Sequence, residues 1–162
     1  MKNIILIQTF KEFRDIPLRA PESINNIDNR SWGKHRRLYK KLEKKKCRVR
    51  FRVCKFLWSE QQLPQNVVNL APSDEDQHLF LEMLINNKWV MIDCSNDSKL
   101  PEYNEWNGLD NCKIGVKYTQ ILSINESIEA ENIEKDNYET MLPTHITFHK
   151  ELNKFLNSIR KK

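Results

Sequence analysis

His78 and Asp93 are the two side chains of this sequence best placed to act together, one at each end of the run Gln77 to Ser95, QHLFLEMLINNKWVMIDCS. A carboxylate beside an imidazole fixes the ring's tautomer and stabilises its charged form, which is what a general base requires. With a hydroxyl or thiol in reach of the ring, such a pair supports nucleophilic acyl chemistry. The question is whether the chain can bring the two together.

The intervening residues answer it. Leu79 to Ile85 and Lys88 to Ile92 are rich in large apolar and aromatic side chains, and Asn86-Asn87 stands between them. Asn tolerates positive φ, so the pair suits a two-residue hairpin turn. With that turn Phe80 faces Asp93, and His78, Phe80, Glu82, Leu84, Trp89, Met91 and Asp93 share one face. His78 and Asp93 then become diagonal neighbours, with β-carbons roughly 7 Å apart.

Other elements must hold this hairpin. Leu6, Phe10 and Phe13 mark one face of a helix near Asn3 to Asp15, ended by Pro17 and Pro21. A polar loop follows to Arg30. A second helix runs from about Ser31 to Lys45 with the apolar stripe His35, Leu38, Tyr39 and Leu42. Cys47 to Trp58 alternates as a strand, and the change of parity after Val53 predicts a bulge or burial on both sides. Gln61 to Gln77 reads as a loop with Pro64 and Pro72, and Lys113 to Tyr118 as a strand. Ser123 and Glu126 fit a capping box. The acidic stretch Glu126 to Asn137 is only weakly periodic, and a last helix near Thr144 to Ile159 turns Phe148, Leu152, Phe155 and Ile159 inward. This order predicts one α+β domain over residues 1–162, with an antiparallel sheet packed by helices.

Composition narrows the class. Charged residues make up 30% of the 162 and hydrophobic residues 39%, which excludes a disordered chain. No apolar run approaches the roughly 18 residues of a membrane span, so the expected location is the cytoplasm, with no membrane partner. Cys47, Cys54, Cys94 and Cys112 lack zinc spacing and read as buried, reduced thiols, so neither a metal nor an organic cofactor is expected. Between Lys34 and Lys55 stand twelve Lys or Arg and one acid, Glu43, although the whole chain carries only +5. Such a face could meet an acidic partner or nucleic acid, but no nucleic-acid motif accompanies it. His35, on the apolar stripe, reads as a satisfied core histidine, and Glu82 as a partner for the arginines of the neighbouring strand.

Several of these segments together resemble the transglutaminase-like superfamily. The quoted matches are His78 with Glu82 four residues on, then Lys88-Trp89-Val90-Met91-Ile92-Asp93. Asp93-Cys94-Ser95-Asn96-Asp97 is similar to a D-A-T-W-D run, Asn104-Glu105-Trp106-Asn107-Gly108 to N-E-W-D-G, and Arg14-Asp15-Ile16-Pro17-Leu18-Arg19 to R-D-I-P-Y-R. The resemblance covers residues 10–118. It implies a helix bearing a cysteine nucleophile packed on an antiparallel sheet, with His78 as general base and acid and Asp93 as its orienter. The implied reaction is acyl transfer from, or hydrolysis of, a peptide or protein amide.

The departure falls at the nucleophile. Where that family's helix opens C-S-x-K-H, this chain has Ser31-Trp32-Gly33-Lys34-His35, so serine stands at the cysteine position. Cys47 is a poorer candidate because it opens a strand. A helix N-terminus lowers a thiol's pKa and offers N–H groups to an oxyanion. Ser31, His78 and Asp93 are therefore the expected catalytic positions. A hydroxyl in a site shaped for sulfur predicts a weakened or silent enzyme, and the alternative is a binding module that keeps the cleft or uses the basic face. Oligomeric state is not legible.

Overall fold

Two helices come first in the computed structural model, which describes residues 2–161. Helix α1 (Lys2–Arg14) and helix α2 (Ser31–Lys44) are followed by strand β1 (Val49–Leu57), a 3₁₀ turn (Trp58–Glu60) and the short helix α3 (Gln65–Val68). Strands β2 (Glu75–Ile85), β3 (Lys88–Ile92) and β4 (Tyr118–Ile121) come next, and the long helix α4 (Ile124–Ile159) ends the order. The strands form one antiparallel sheet in the order β3-β2-β1-β4, so the protein is α+β.

The hairpin has the expected register. Leu81 pairs with Ile92 and Ile85 with Lys88, and the turn residues Asn86 and Asn87 have φ of 48° and 64°. Those angles suit the right-handed twist of the flanking strands. One face of β2 packs Leu81 and Met83 into a core with Leu6, Phe10, Leu38, Leu42 and Trp106. The other face packs Phe80 with Cys54 and Ile114. Burial on both sides explains why β2 reads as a nearly continuous apolar run.

Four boundaries differ from the sequence reading. Cys47 lies ahead of β1, because α2 ends in a tight turn with Lys46 at φ 58° and the strand begins only at Val49. The loop from Gln61 contains α3, started by Pro64, and β2 already begins at Glu75. The last strand is Tyr118–Ile121, later than Lys113 to Tyr118, and its pairing with β1 shifts register between Lys55 and Phe56. Helix α4 is continuous from the Ser123 capping box through Pro143. Its acidic first half is ordered because Glu131 and Glu134 are buried against arginines of the α2 end. Among the described residues, no helix is long and apolar enough to cross a membrane.

Candidate active site

The first turn of α2 is fixed from outside the helix. Arg30, its N-cap, makes no side-chain cap. Instead its guanidinium pairs with Asp28 at 2.9 Å and Glu134 of α4 at 2.8 Å. Gly33 allows the loop to fold back on this turn, since a Cβ there would lie 2.0 Å from the Asp28 carbonyl oxygen. Ser31 therefore sits at a helix start whose first N–H groups have no capping side chain.

Lys34 binds this helix to the chain that carries the aspartate. Its ammonium is fully buried and donates to the carbonyls of Arg14 (3.0 Å), Ile16 (2.7 Å) and Ser95 (2.9 Å). Three acceptors satisfy its three protons, while burial pushes its pKa down to about 8. The next residue, His35, accepts the Cys94 N–H at Nε2 (3.0 Å). Asp93 Oδ1 lies 3.4 Å from the same nitrogen and favours a proton there, but the shorter Cys94 contact occupies the lone pair. The neutral ring, with its Nδ1 proton on the Ser31 carbonyl at 2.7 Å, fits both contacts. His35 is a satisfied core histidine.

His78 and Asp93 meet at this junction. His78 Nε2 donates to Asp93 Oδ2 at 2.7 Å, which leaves Nδ1 as the ring nitrogen for another partner. Asp93 is fully buried yet well supplied with donors: Ser95 N–H at 2.8 Å, Gly115 N–H at 2.7 Å and the Ser95 hydroxyl. Burial alone would raise its carboxyl pKa. Its contacts with the His78 and His35 rings outweigh that and hold it well below the usual carboxylate range. Ser31 Oγ accepts the N–H of Leu79, the residue after His78, at 3.4 Å. Ser31, His78 and Ser95 all line one cavity of about 900 Å³.

Ser95 is the site residue that sequence reading did not assign. Its hydroxyl donates to Asp93 and lies 3.2 Å from His78 Nε2, so it touches both members of the pair. The hint was its place two residues after Asp93. Glu82, by contrast, takes Arg50 and Arg52 as expected. The segments quoted for the resemblance also converge. Asp97 accepts from the Leu18 N–H and from Arg160, and Asn104 accepts from the Asn96 N–H and, through its carbonyl, from Arg14.

The basic run divides in two. Lys34, Arg36, Arg37, Arg50, Arg52 and Lys55 are engaged within the fold. Lys40, Lys41, Lys44, Lys45, Lys46 and Arg48 are exposed at the C-terminal end of α2 and the turn after it. Among the described residues, no group of three or more His, Cys, Asp or Glu is placed to hold a metal ion. No family model, curated protein or solved structure matches the chain.

Proposed function

We propose that this chain is a transglutaminase-like acyl-transfer domain with serine in the nucleophile position. The observation that carries the reading is the buried 2.7 Å contact between His78 and Asp93, beside a cavity that Ser31 shares from an uncapped helix start. In this reading Ser31 Oγ attacks an acyl carbonyl carbon while its proton passes to His78 Nδ1. The oxyanion is met by N–H groups of the first turn of α2. The C–N or C–O bond then breaks, the leaving group takes the proton from His78, and an ester remains on Ser31. Water or an amine, deprotonated by His78, releases the acyl group. Asp93 holds the ring's Nε2 proton throughout, so that Nδ1 alone takes up and returns the proton and the imidazolium formed on the way is stabilised. Turnover is slow, because a hydroxyl must lose its proton during the attack, whereas a thiol can be held ready as thiolate.

The test is the alkylation rate of a Ser31→Cys variant against pH, with the label located by mass spectrometry. Fast labelling of the introduced thiol below pH 7, abolished by His78→Ala, is the expected result. Labelling no faster than that of the half-buried Cys47 refutes the acyl-transfer reading.

A second reading is supported by the six exposed bases at the end of α2. They suit a non-catalytic module that docks an acidic protein or a nucleic acid. Binding to generic DNA or RNA that falls steeply with salt supports it, since each phosphate contact releases counterions.

A further inference from the structure

Met141, His145, Phe148, Leu152, Phe155 and Ile159 follow one another along α4 at alternating spacings of four and three residues. That spacing gives a single stripe on one side of a helix. Such a stripe normally disappears into packed protein. Here all six side chains line the cavity that reaches Ser31 and His78, and Met141, Leu152, Phe155 and Ile159 are only half-buried. Across the cavity stand Leu18, Phe56, Trp58, Ile114 and Val116, with Trp58 edge-on to Phe148 at 4.9 Å between ring centres. The space is about 900 Å³, the size of a site for a substantial organic molecule.

The charges on these walls have partners of their own. Arg30 is held by Asp28 and Glu134, Lys113 by Glu102, Lys117 by Glu60 and Glu75 by Lys55. Asp76 accepts from Trp58 Nε1 and the Gln77 N–H, and burial raises its carboxyl pKa. His149 gives its Nδ1 proton to the Pro21 carbonyl, and burial lowers its pKa to about 4, so it is neutral. Two wall amides are committed as well: Gln61 bonds the Leu57 and Lys117 carbonyls, and Asn96 bonds that of Gly115, while Gln62, Gln77 and Asn137 also line the space. A charged occupant would find no ready counter-ion at these groups. A peptide laid along the apolar α4 stripe would leave most of its backbone groups there without partners, at a cost of roughly 1–3 kcal/mol each. An apolar chain suits the walls, and its one polar group suits the end where Ser31, His78 and Ser95 lie.

We propose that this cavity is an acyl-chain site: it takes a neutral acyl donor with an extended aliphatic acyl group laid along the α4 stripe and its carbonyl at Ser31 and His78. The aliphatic assignment stands on the cavity itself, while the position of the carbonyl rests on the acyl-transfer reading above. Methyl ketones of increasing length, from 2-butanone to 2-decanone, carry the same carbonyl and tail without a leaving group. Their binding is followed by calorimetry and by tryptophan fluorescence, since Trp32 and Trp58 line the cavity. A Ser31→Ala background keeps chemistry out of the measurement.

The expected result is affinity rising about fourfold per added methylene, the full-burial value. Phe155→Lys and Ile159→Lys, each at a half-buried position of the stripe, should abolish the rise while the variants unfold as the parent does. Affinity independent of chain length overturns the proposal, and so does a rise that both folded lysine variants retain. Tighter binding of N-acetyl-leucine methylamide than of a ketone with as many carbons also overturns it, in favour of a peptide. Length-dependent ketone binding together with a Ser31→Cys thiol that does not label keeps the apolar site and removes the acyl-transfer reading. Fast labelling without ketone binding does the reverse.

Discussion

His78 on β2 and Asp93, the residue that follows β3, are joined by a 2.7 Å hydrogen bond at the open end of the β2–β3 hairpin. Replacing Asp93 with Asn nearly conserves shape but removes the charge and the second acceptor oxygen, so the amide can no longer accept from His78, Ser95 and Gly115 alike. In the Ser31→Cys background, Asp93→Asn should slow alkylation at pH 7 by on the order of 100-fold or more, because the ring loses its fixed tautomer. A rate within a factor of three of the parent would show that the pair does not orient the base.

Ser95 should matter less, and in a distinguishable way. Its hydroxyl touches both Asp93 and the His78 ring, and a hydrogen bond to a charged group is worth about 1.5–3 kcal/mol. Ser95→Ala should therefore lower the same labelling rate by roughly ten- to a hundredfold and move its pH profile. Ser95→Thr, which keeps the hydroxyl, should restore most of both. If Thr and Ala behave alike, Ser95 only fills space.

The hairpin and its diagonal pair were legible because period-two patterning and a two-Asn turn together set register, and register decides which side chains meet. The helical stripe of α2 was legible for the same local reason. Lys34 was not: a lysine inside a basic run reads as solvated, and its three acceptors, on Arg14, Ile16 and Ser95, are all distant from it in sequence. Glu131 and Glu134 misled in the same way, as acids in a weakly periodic stretch whose partners, Arg30 and Arg36, lie about a hundred residues earlier. The pattern predicts the last helix only from about Thr144, yet α4 runs through Pro143 from Ile124, since packing along the rest of a 36-residue helix outweighs one lost hydrogen bond. Ser95 lies inside the quoted Asp93-Cys94-Ser95-Asn96-Asp97 run without an assigned role, and only the fold brings its hydroxyl onto the pair.

Gly33 offers a test of how α2 is seated. Alanine in a helix interior is ordinarily favoured over glycine by roughly 1 kcal/mol. Here the added methyl group would lie 2.0 Å from the Asp28 carbonyl oxygen, so the loop carrying Asp28 and Arg30 must move. Gly33→Ala should reverse the usual sign and destabilise by more than about 2 kcal/mol in urea unfolding. Unchanged or raised stability would mean that the loop yields freely.

His149 sets the expected response to acid. Burial lowers its pKa from 6.5 to about 4, outweighing its hydrogen bond to the Pro21 carbonyl. Between those values the unfolded chain binds a proton that the folded chain refuses, so stability must fall as pH drops through this window. Above pH 6.5 neither state is protonated at this ring, and below pH 4 both are, so the change from this group is confined to the interval. Its full size is on the order of 3 kcal/mol at one pKa unit per 1.36 kcal/mol. Urea unfolding at pH 7, 6, 5 and 4 should show this loss, superimposed on smaller contributions from the carboxylates as the lowest pH is approached. In His149→Gln, which can still donate to the Pro21 carbonyl but does not titrate, the loss between pH 6.5 and 4 should shrink by the same amount. An unchanged slope in that variant would place the acid sensitivity elsewhere.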